Sequence, residues 1–398
     1  MKKYLAMLLA GALSVSLLAG CGGSNGSDSA ASNAGSASNG SADQSNVIKI
    51  GGIGPLTGSG AVYGIATKTG AQVAVDEINA LGGLQFALDF QDDEGDAEKA
   101  VNAYNNLKGK GMQVLYGTTT TTPCVAVAAE TFNDRIFQLT PSASSTKVTE
   151  GRDNVFQACF TDPNQGKAAA DYIKEHQLGT KVAAIYNNGD PYSTGIFNAF
   201  QAEAQEISLE IVSASTFPDD TNADFTVQLG EAQKAGADLV FMPIYYTPAS
   251  LILNQAKTMG YEPTFFGCDG MDGILTVEGF DTKLAEGLML LTPFVATATD
   301  EKTSAFTKAY KDAYGDDPIQ FAADAYDCVY VIKELLEKTG CTPDMSASDI
   351  CDKLKAAIVD GYTYSGLTGE NMSWKDTGEV SKEPKGMVIK DGVYQPLD

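Results

Sequence analysis

Five consecutive threonines, Thr118–Thr122, stand between a strand-like run and a proline, Pro123. Proline is favoured at the first position of a helix, so we expect a helix to begin there. The N-terminus of a helix presents unpaired backbone N–H groups and the positive end of the helix dipole, which bind an anion without a basic side chain. The segment therefore predicts a carboxylate site. The alternative is a β-prone strand end that is capped by Thr122.

A single acid, Asp269, follows another strand-like run, Pro263–Phe266, and is flanked by Cys268 and Gly270. Ligands of open parallel sheets bind beyond the carboxyl ends of the strands, so this position would face a cleft. A buried carboxylate and an ammonium group that leaves water each need an opposite charge. Asp269 therefore predicts an ammonium site and, with the threonine run, a zwitterionic ligand. The alternative is a turn aspartate that caps its own backbone.

Further hydroxyl and aromatic residues follow other predicted strands. Ser142 and Ser144 follow the strand after the threonine run and would lie beside it, offering a carbonyl oxygen and a hydroxyl. Aromatic walls commonly line small-solute clefts, and four tyrosines occupy positions after different strands: Tyr63, Tyr192, Tyr245 and Tyr246. Each of these residues alone is more typical of a turn, a core or a surface. Together they indicate a pocket for a small polar solute.

The patterns that carry catalysis or hold metals are missing from the sequence. There is no Gly-x-Ser-x-Gly elbow, no phosphate-binding P-loop and no Cys-x-x-Cys pair, and the one histidine, His176, falls at a predicted helix end. The acidic run Asp92–Asp96 could mimic a cation site, but we interpret it as a solvated loop with a helix cap. We predict a binding protein with no enzyme activity, no cofactor and no metal.

The elements that would position these residues alternate between strands and helices. Strand-like runs such as Val47–Ile53 and Lys181–Tyr186 recur along the chain, and stretches with helical periodicity such as 66–81 separate them. This alternation predicts an α/β fold with doubly wound parallel sheets and helices on both faces. About 350 residues follow position 46, more than one core usually holds, so we expect two lobes.

The chain begins with features of an exported protein. Two lysines precede an uncharged apolar run that ends at Leu18, which is too short to cross a bilayer and is typical of a signal peptide. Leu18-Ala-Gly-Cys21 resembles the bacterial lipobox, which implies that Cys21 is lipidated. We expect a signal peptide over 1–20 and, over 21–46, the lipidated cysteine and a disordered Gly/Ser/Ala tether. The protein would be anchored to the outer face of the cell membrane.

The net charge of the chain limits the macromolecules it can bind, and its cysteine content bears on whether it forms disulfides. The formal charge is −24, and loss of Lys2 and Lys3 with the signal peptide would lower it to −26, which disfavours nucleic acid and anionic lipid. Cysteines remain after Cys21 in an even number, which permits disulfides in an exported chain, with Cys341 and Cys351 the nearest pair. Buried free thiols are the alternative.

Several segments of the chain together form a recognisable pattern: Ile48–Gly58, Asp76–Asn79 with Gly82-Gly83, Tyr192–Gly195 and Phe266–Gly270. In this order and spacing they resemble the leucine/isoleucine/valine-binding family of type I periplasmic binding proteins, from Val47 to the C-terminus. The family often has a longer acid where Asp269 stands, and its threonine loop is usually less uniform.

The resemblance implies roles for the candidate residues. The ligand's carboxylate would be held by the threonine loop, with Thr121 as the best counterpart and Thr119 close by, and by the hydroxyl of Ser144. The ammonium group would meet the carbonyl of Ser142 and the carboxylate of Asp269. The tyrosines would close the pocket: Tyr63, Tyr192 and Tyr245 or Tyr246.

The resemblance also implies a three-segment hinge, with crossings near Thr161, Thr292 and Ser365. The N-terminal lobe would comprise 47–160 plus 293–364, and the C-terminal lobe 161–292 plus 365–398. A monomer would close on an amino acid, most simply a branched-chain one, and deliver it to the permease of an ABC importer. The alternatives are another solute, such as an aromatic acid or an amide, and a ligand sensor for a signalling receptor.

Overall fold

The computed structural model describes residues 47–218 and 222–397. The expected signal peptide, the lipidation site at Cys21 and the tether lie outside these residues. Within the described part of the chain, no helix is both long enough and apolar enough to cross a bilayer.

The first sheet consists of five parallel strands in the order β2-β1-β3-β4-β5. The strands are β1 (Val47–Gly54), β2 (Gln85–Asp92), β3 (Val114–Gly117), β4 (Phe137–Thr140) and β5 (Val155–Gln157). Helices α1 (Ala61–Leu81), α2 (Ala97–Gly109) and α3 (Thr121–Asp134) connect them. All residues of β3 and β4 are buried, as expected for parallel strands that helices cover on both faces.

The second sheet contains seven strands in the order β14-β13-β10-β9-β8-β6-β7. Its parallel strands are β6 (Lys181–Asn187), β7 (Glu210–Phe217), β8 (Leu239–Met242), β9 (Thr264–Gly267) and β10 (Met289–Thr292). The accompanying helices are α4 (Asp162–Glu175), α5 (Pro191–Glu206), α6 (Thr226–Ala235) and α7 (Tyr246–Met259). The predicted doubly wound parallel arrangement is confirmed. An antiparallel pair of strands, which was not predicted from the sequence, extends the second sheet.

That antiparallel pair and three helices complete the structure. The pair is β13 (Lys385–Lys390) and β14 (Val393–Pro396), and the helices are α8 (Glu301–Tyr314), α9 (Gln320–Thr339) and α10 (Ala347–Val359). Two short strands, β11 (Thr363–Tyr364) and β12 (Met372–Ser373), form a separate antiparallel pair. Helices α9 and α10 share a core with the first sheet, in which Val331, Leu335 and Leu354 are buried.

The segment after β12 packs against the first sheet. The indole N–H of Trp374 donates to the carbonyl of Gln157 at 2.7 Å, and Trp374 and Val380 belong to the core beneath that sheet. The chain joins the second sheet only at Lys385. From this packing we propose that the third crossing lies between Val380 and Lys385, later than the one expected near Ser365.

A buried ion pair anchors the same segment. The ammonium of Lys382 lies 2.7 Å from Asp324 on α9 and 2.6 Å from the hydroxyl of Thr368, and both charged side chains are almost wholly buried. Because an unpaired charge in such a position is very costly, the pair holds the chain to α9 just before it enters the second sheet.

The six cysteines in the described residues are free and buried. The structure therefore favours buried thiols over disulfides, including at Cys341 and Cys351, which lie in the core of the first sheet. Burial raises the pKa of the Cys351 thiol to about 11, which keeps it protonated and unreactive.

Helix α1 packs closely on α9, and this contact generates a prediction about Gly70. A Cβ at this position would lie 2.0 Å from the carbonyl oxygen of Ala322, a backbone atom that cannot move aside cheaply. Gly70→Ala should lower the free energy of unfolding by about 1–3 kcal/mol in a urea titration, as overpacking usually does.

Gly109→Ala is the matched control, because no heavy atom lies within 4 Å of the corresponding Cβ. This substitution in α2 should leave stability unchanged or raise it by up to about 1 kcal/mol. Equal stability of the two variants would contradict the close packing of α1 and α9.

Candidate functional site

The segments that follow six strands meet in a small, narrow chamber between the two sheets, which measures about 230 Å³ when its solvent opening is included. We call it the inner chamber; its lining residues are Tyr63, Thr119, Thr120, Thr121, Ser142, Tyr192, Tyr245, Asp269, Gly270 and Phe321. Seven of the nine predicted ligand-binding residues are therefore brought together. The other two, Ser144 and Tyr246, are buried nearby but do not line the chamber.

The threonine loop is held rigidly on one side of the inner chamber. The hydroxyl of Ser142 donates to the carbonyl of Thr119 at 2.6 Å, and the hydroxyl of Thr119 donates to the carbonyl of Ile53 at 3.3 Å. Helix α3 begins at Thr121, two residues before the expected position of Pro123. Proline is tolerated there because N–H groups of the first turn have no intrahelical acceptor.

Thr120 is the residue that precedes α3, and its side chain is not used as a cap. Its hydroxyl oxygen is buried and has no hydrogen-bond partner among the described residues. The N-terminus of α3 and this hydroxyl both border the chamber; the helix N-terminus suits an anionic group, and the unpartnered hydroxyl oxygen suits a hydrogen-bond donor.

Asp269 lies on the other side of the chamber and is only 4 % exposed. The hydroxyl of Tyr192 donates to its Oδ1 at 2.7 Å and accepts from the N–H of Gly270 at 3.0 Å. The side-chain oxygen of Gln165 on α4 accepts from the N–H of Asp269 at 3.1 Å, and the side-chain amide of Gln320 on α9 donates to its carbonyl at 2.8 Å. The acid is therefore positioned by three separate helices.

Burial raises the pKa of Asp269 to about 7, although the hydrogen bond from Tyr192 and the nearby side chain of Gln165 partly offset this effect. The carboxylate consequently changes protonation state near neutral pH when the chamber holds no cation. A positive group bound beside it would favour the ionised form and lower its pKa.

Aromatic rings form the remaining walls. Tyr192 and Tyr245 stack with ring centroids 4.8 Å apart, and Tyr63 packs on Phe321 at 4.4 Å. Phe321 was not predicted, because nothing in the sequence distinguishes it from the other apolar residues of α9. Thr120 lies within the threonine run, but only the structure separates its free hydroxyl from those of its neighbours.

Two tyrosines join the lobes by reciprocal hydrogen bonds. The hydroxyl of Tyr63 on α1 donates to the carbonyl of Gly270 at 2.5 Å and accepts from the N–H of Tyr246 at 3.1 Å. In return, the hydroxyl of Tyr246 on α7 accepts from the N–H of Val62 at 3.2 Å. Tyr246 was expected in the ligand pocket; its hydroxyl is instead used to connect α7 to the first lobe. These bonds link the two lobes across the cleft.

Ser144 lies beside a second buried acid, Asp162, at the start of α4. In the described part of the chain, no atom lies in hydrogen-bonding geometry with either carboxylate oxygen of Asp162 or with the hydroxyl of Ser144. Burial raises the pKa of Asp162 well above its ordinary value, Ser144 and Ser145 nearby lower it in part, and Asp269 and Asp190 raise it further. Burial therefore favours the uncharged form of Asp162.

A larger, open chamber of about 820 Å³, part of it solvent space, adjoins the inner one. We call it the outer chamber. The two share Tyr63, Thr120 and Tyr245, and Glu94 and Asp190 line the outer one alone.

The acidic run over 92–96 forms a turn at the edge of this outer chamber. Asp92 accepts from the N–H of Leu56 at 2.8 Å, and Asp96 caps α2 by accepting from the N–H of Lys99 at 2.9 Å. Burial raises the pKa of Asp93 to about 7. The helix cap is as predicted, and no cluster of metal ligands occurs in the part of the chain that the structure describes.

Two α/β lobes that close on a chamber lined by hydroxyls, rings and one acid define a solute-binding protein of the type I periplasmic kind rather than an enzyme. The chain belongs to the periplasmic binding protein family, whose model matches residues 47–390.

Named relatives and solved structures agree with this membership. The chain is 30% identical to "Leu/Ile/Val-binding protein homolog 3" of Brucella melitensis, covering 84% of this chain and 89% of that protein. It is 27% identical to the leucine-, isoleucine-, valine-, threonine-, and alanine-binding protein of Pseudomonas aeruginosa, covering 84% and 87%. The structure of LivJ from Streptococcus pneumoniae in complex with isoleucine superposes with a TM-score of 0.79 at 29% identity, covering 88% and 98%.

The reciprocal tyrosine bonds generate a prediction about Tyr63. Tyr63→Phe removes the donor to Gly270 and the acceptor for the N–H of Tyr246, so the closed state should lose about 1 kcal/mol or more relative to the open state. Small-angle X-ray scattering of the protein without ligand should show a larger radius of gyration than that of the unsubstituted chain.

Tyr261→Phe is the control, because the hydroxyl of Tyr261 donates within the second lobe, to Ala237 at 2.9 Å. It should lower stability by a similar amount without changing the radius of gyration. An unchanged scattering profile for Tyr63→Phe would show that these bonds do not hold the cleft closed.

Proposed function

We propose that this chain is the extracytoplasmic substrate-binding lipoprotein of an ABC importer, and that it captures an α-amino acid between its lobes and delivers it to the permease. The observation that carries the ligand class is the opposition of Asp269 to the threonine loop and the start of α3 across one chamber. An α-amino acid presents a carboxylate and an ammonium group at matching ends.

The residues take complementary roles in this proposal. The hydroxyl of Thr121 and the N-terminus of α3 receive the carboxylate, and Thr119 lies beside them with its own hydroxyl bound to Ile53. Asp269 pairs with the ammonium group, assisted by the carbonyl of Ser142, while Tyr63, Tyr192 and Tyr245 shield the ligand from water. Ser144 reaches the ligand only if its buried hydroxyl is exposed when the cleft rearranges.

The main alternative solute within this fold is an aromatic acid. A solved structure from Rhodopseudomonas palustris BisB5 contains 3,4-dihydroxy benzoic acid, and another from R. palustris contains benzoate. Each protein is 20% identical to this chain, so the likeness concerns the fold alone. A benzoate brings no cation to Asp269, and its burial beside an ionised Asp269 would be unfavourable. An amino acid satisfies both the anion site and the ammonium site of the inner chamber. Branched-chain amino acids appear in the names of the relatives, and they therefore serve as reference ligands in the binding tests.

The raised pKa of Asp269 predicts a pH dependence of binding. The carboxylate must be ionised to pair with an ammonium group, and its pKa is about 7 in the ligand-free chamber. The association constant for an amino acid should therefore be greatest above pH 7 and fall by up to tenfold per pH unit below it. Calorimetric titrations with leucine between pH 5.5 and 8.5 measure this dependence.

Asp269→Asn should bind at least tenfold more weakly at pH 8 and show a flatter profile, because it keeps the shape of the side chain but not its charge. Asp300→Asn is the control, since Asp300 caps α8 by accepting from the N–H of Thr303 away from the chamber. Wild-type affinity in Asp269→Asn would exclude the proposed ammonium site.

Membrane attachment through Cys21 is the second part of the proposal and rests on the sequence Leu18-Ala-Gly-Cys21. Cys21→Ser should prevent lipidation, so the protein should leave the membrane pellet and should not partition into Triton X-114 detergent. Cys268→Ser, a change to a buried thiol, should leave partitioning unaltered. Detergent partitioning of the Cys21→Ser chain equal to that of the parent would refute the anchor.

A further inference from the structure

The walls of the two chambers are short of aliphatic side chains. Among the described residues that line either chamber there is no leucine, isoleucine, valine or methionine, and apolar contact comes from aromatic rings and prolines. A site for a branched aliphatic side chain is expected to bury it against apolar surface, because that burial supplies the binding energy. This lining offers little such surface outside the rings of the inner chamber.

The outer chamber is instead rich in hydrogen-bond acceptors. Glu94 and Asp190 place carboxylates in its wall, and no lysine or arginine lines either chamber in the described chain. Glu94 is half exposed and pairs with Lys99 at 2.5 Å, so part of its charge is neutralised. Asp190 is 9 % exposed and accepts from the N–H of Tyr192 at 3.2 Å as the cap of α5.

Thr120 connects the two chambers, because it lines both of them. Its hydroxyl oxygen is buried without a partner in the described residues, and a buried polar atom without a partner is costly. A ligand headgroup held between Thr121 and Asp269 would direct its side chain past Thr120 and Tyr245 towards the outer chamber. A donor on that side chain would meet the hydroxyl oxygen of Thr120 first and the carboxylate of Asp190 beyond it.

We propose that the outer chamber is a side-chain subsite that selects an α-amino acid whose side chain donates hydrogen bonds through an amide, ammonium or guanidinium group. This inference rests on the proposed function and narrows it. Aliphatic side chains find few apolar partners in the outer chamber, and acidic side chains meet two carboxylates and no basic residue.

Calorimetric titration of the purified protein with four groups of amino acids tests the selection. The groups are glycine and alanine, which present little more than the headgroup; leucine, isoleucine and valine; glutamine, lysine and arginine; and aspartate and glutamate. The donor group should bind at least tenfold more tightly than the aliphatic group, and the acidic group should bind most weakly.

Thr120→Val removes the hydroxyl without changing the shape of the side chain and without removing a helix cap. It should weaken binding of glutamine and lysine about fivefold and leave leucine unchanged, as expected for one lost hydrogen bond. Asp190→Asn keeps the acceptor for the N–H of Tyr192 and should weaken lysine and arginine at least tenfold, with glutamine changing less than threefold. Asp300→Asn, the control helix cap, should alter no affinity.

The outcomes separate this inference from the proposed function. Tightest binding of leucine, isoleucine or valine, or an equal loss of all ligands in Thr120→Val, would overturn the side-chain subsite while leaving an amino-acid binder. Failure of every amino acid, glycine and alanine included, would overturn the proposed function itself.

Discussion

A carboxylate that is buried between two lobes must be held in place until a cation compensates its charge, and Asp269 is fixed by side chains from both sides of the cleft. Tyr192 on α5 binds its side chain, Gln165 on α4 binds its N–H, and Gln320 at the start of α9 binds its carbonyl. Because α9 shares the core of the first sheet, the position of this one acid depends on the relative placement of both sheets. Any change in the cleft is therefore also a change in the environment of its charge.

A few polar contacts among aromatic rings connect the two lobes across the cleft. Tyr63 and Tyr246 exchange hydrogen bonds with the opposite lobe, and the ring of Tyr63 packs on that of Tyr246 at 4.7 Å. The buried pair of Lys382 and Asp324 restrains the chain at the point where it passes to the second sheet. Hydrogen bonds between the lobes thus lie beside a buried ion pair that does not depend on them, an arrangement that permits rotation of the lobes without loss of their individual folds.

The fold and most of the candidate site could be predicted because they follow from local patterns. Strand and helix periodicity indicated parallel sheets, and the rule that ligands bind beyond the carboxyl ends of strands selected the threonine loop and Asp269. The family resemblance then singled out Thr119 and Thr121 within that loop. Phe321 was missed because it enters from α9, more than fifty residues after Asp269, through tertiary packing alone. Tyr246 could not be separated from Tyr245, because adjacent residues at a helix start point in different directions and only the packed structure shows which one faces the chamber.

The six buried thiols have a consequence for how this protein can be made and observed. A fold that contains no cross-link in its described residues needs no oxidase and no isomerase to mature, so its assembly does not depend on the redox potential of its surroundings. Each thiol becomes reactive only when the core around it opens. The cysteines are therefore natural reporters of local opening, and Cys268, next to Asp269, would record the breathing of the cleft itself without any introduced label.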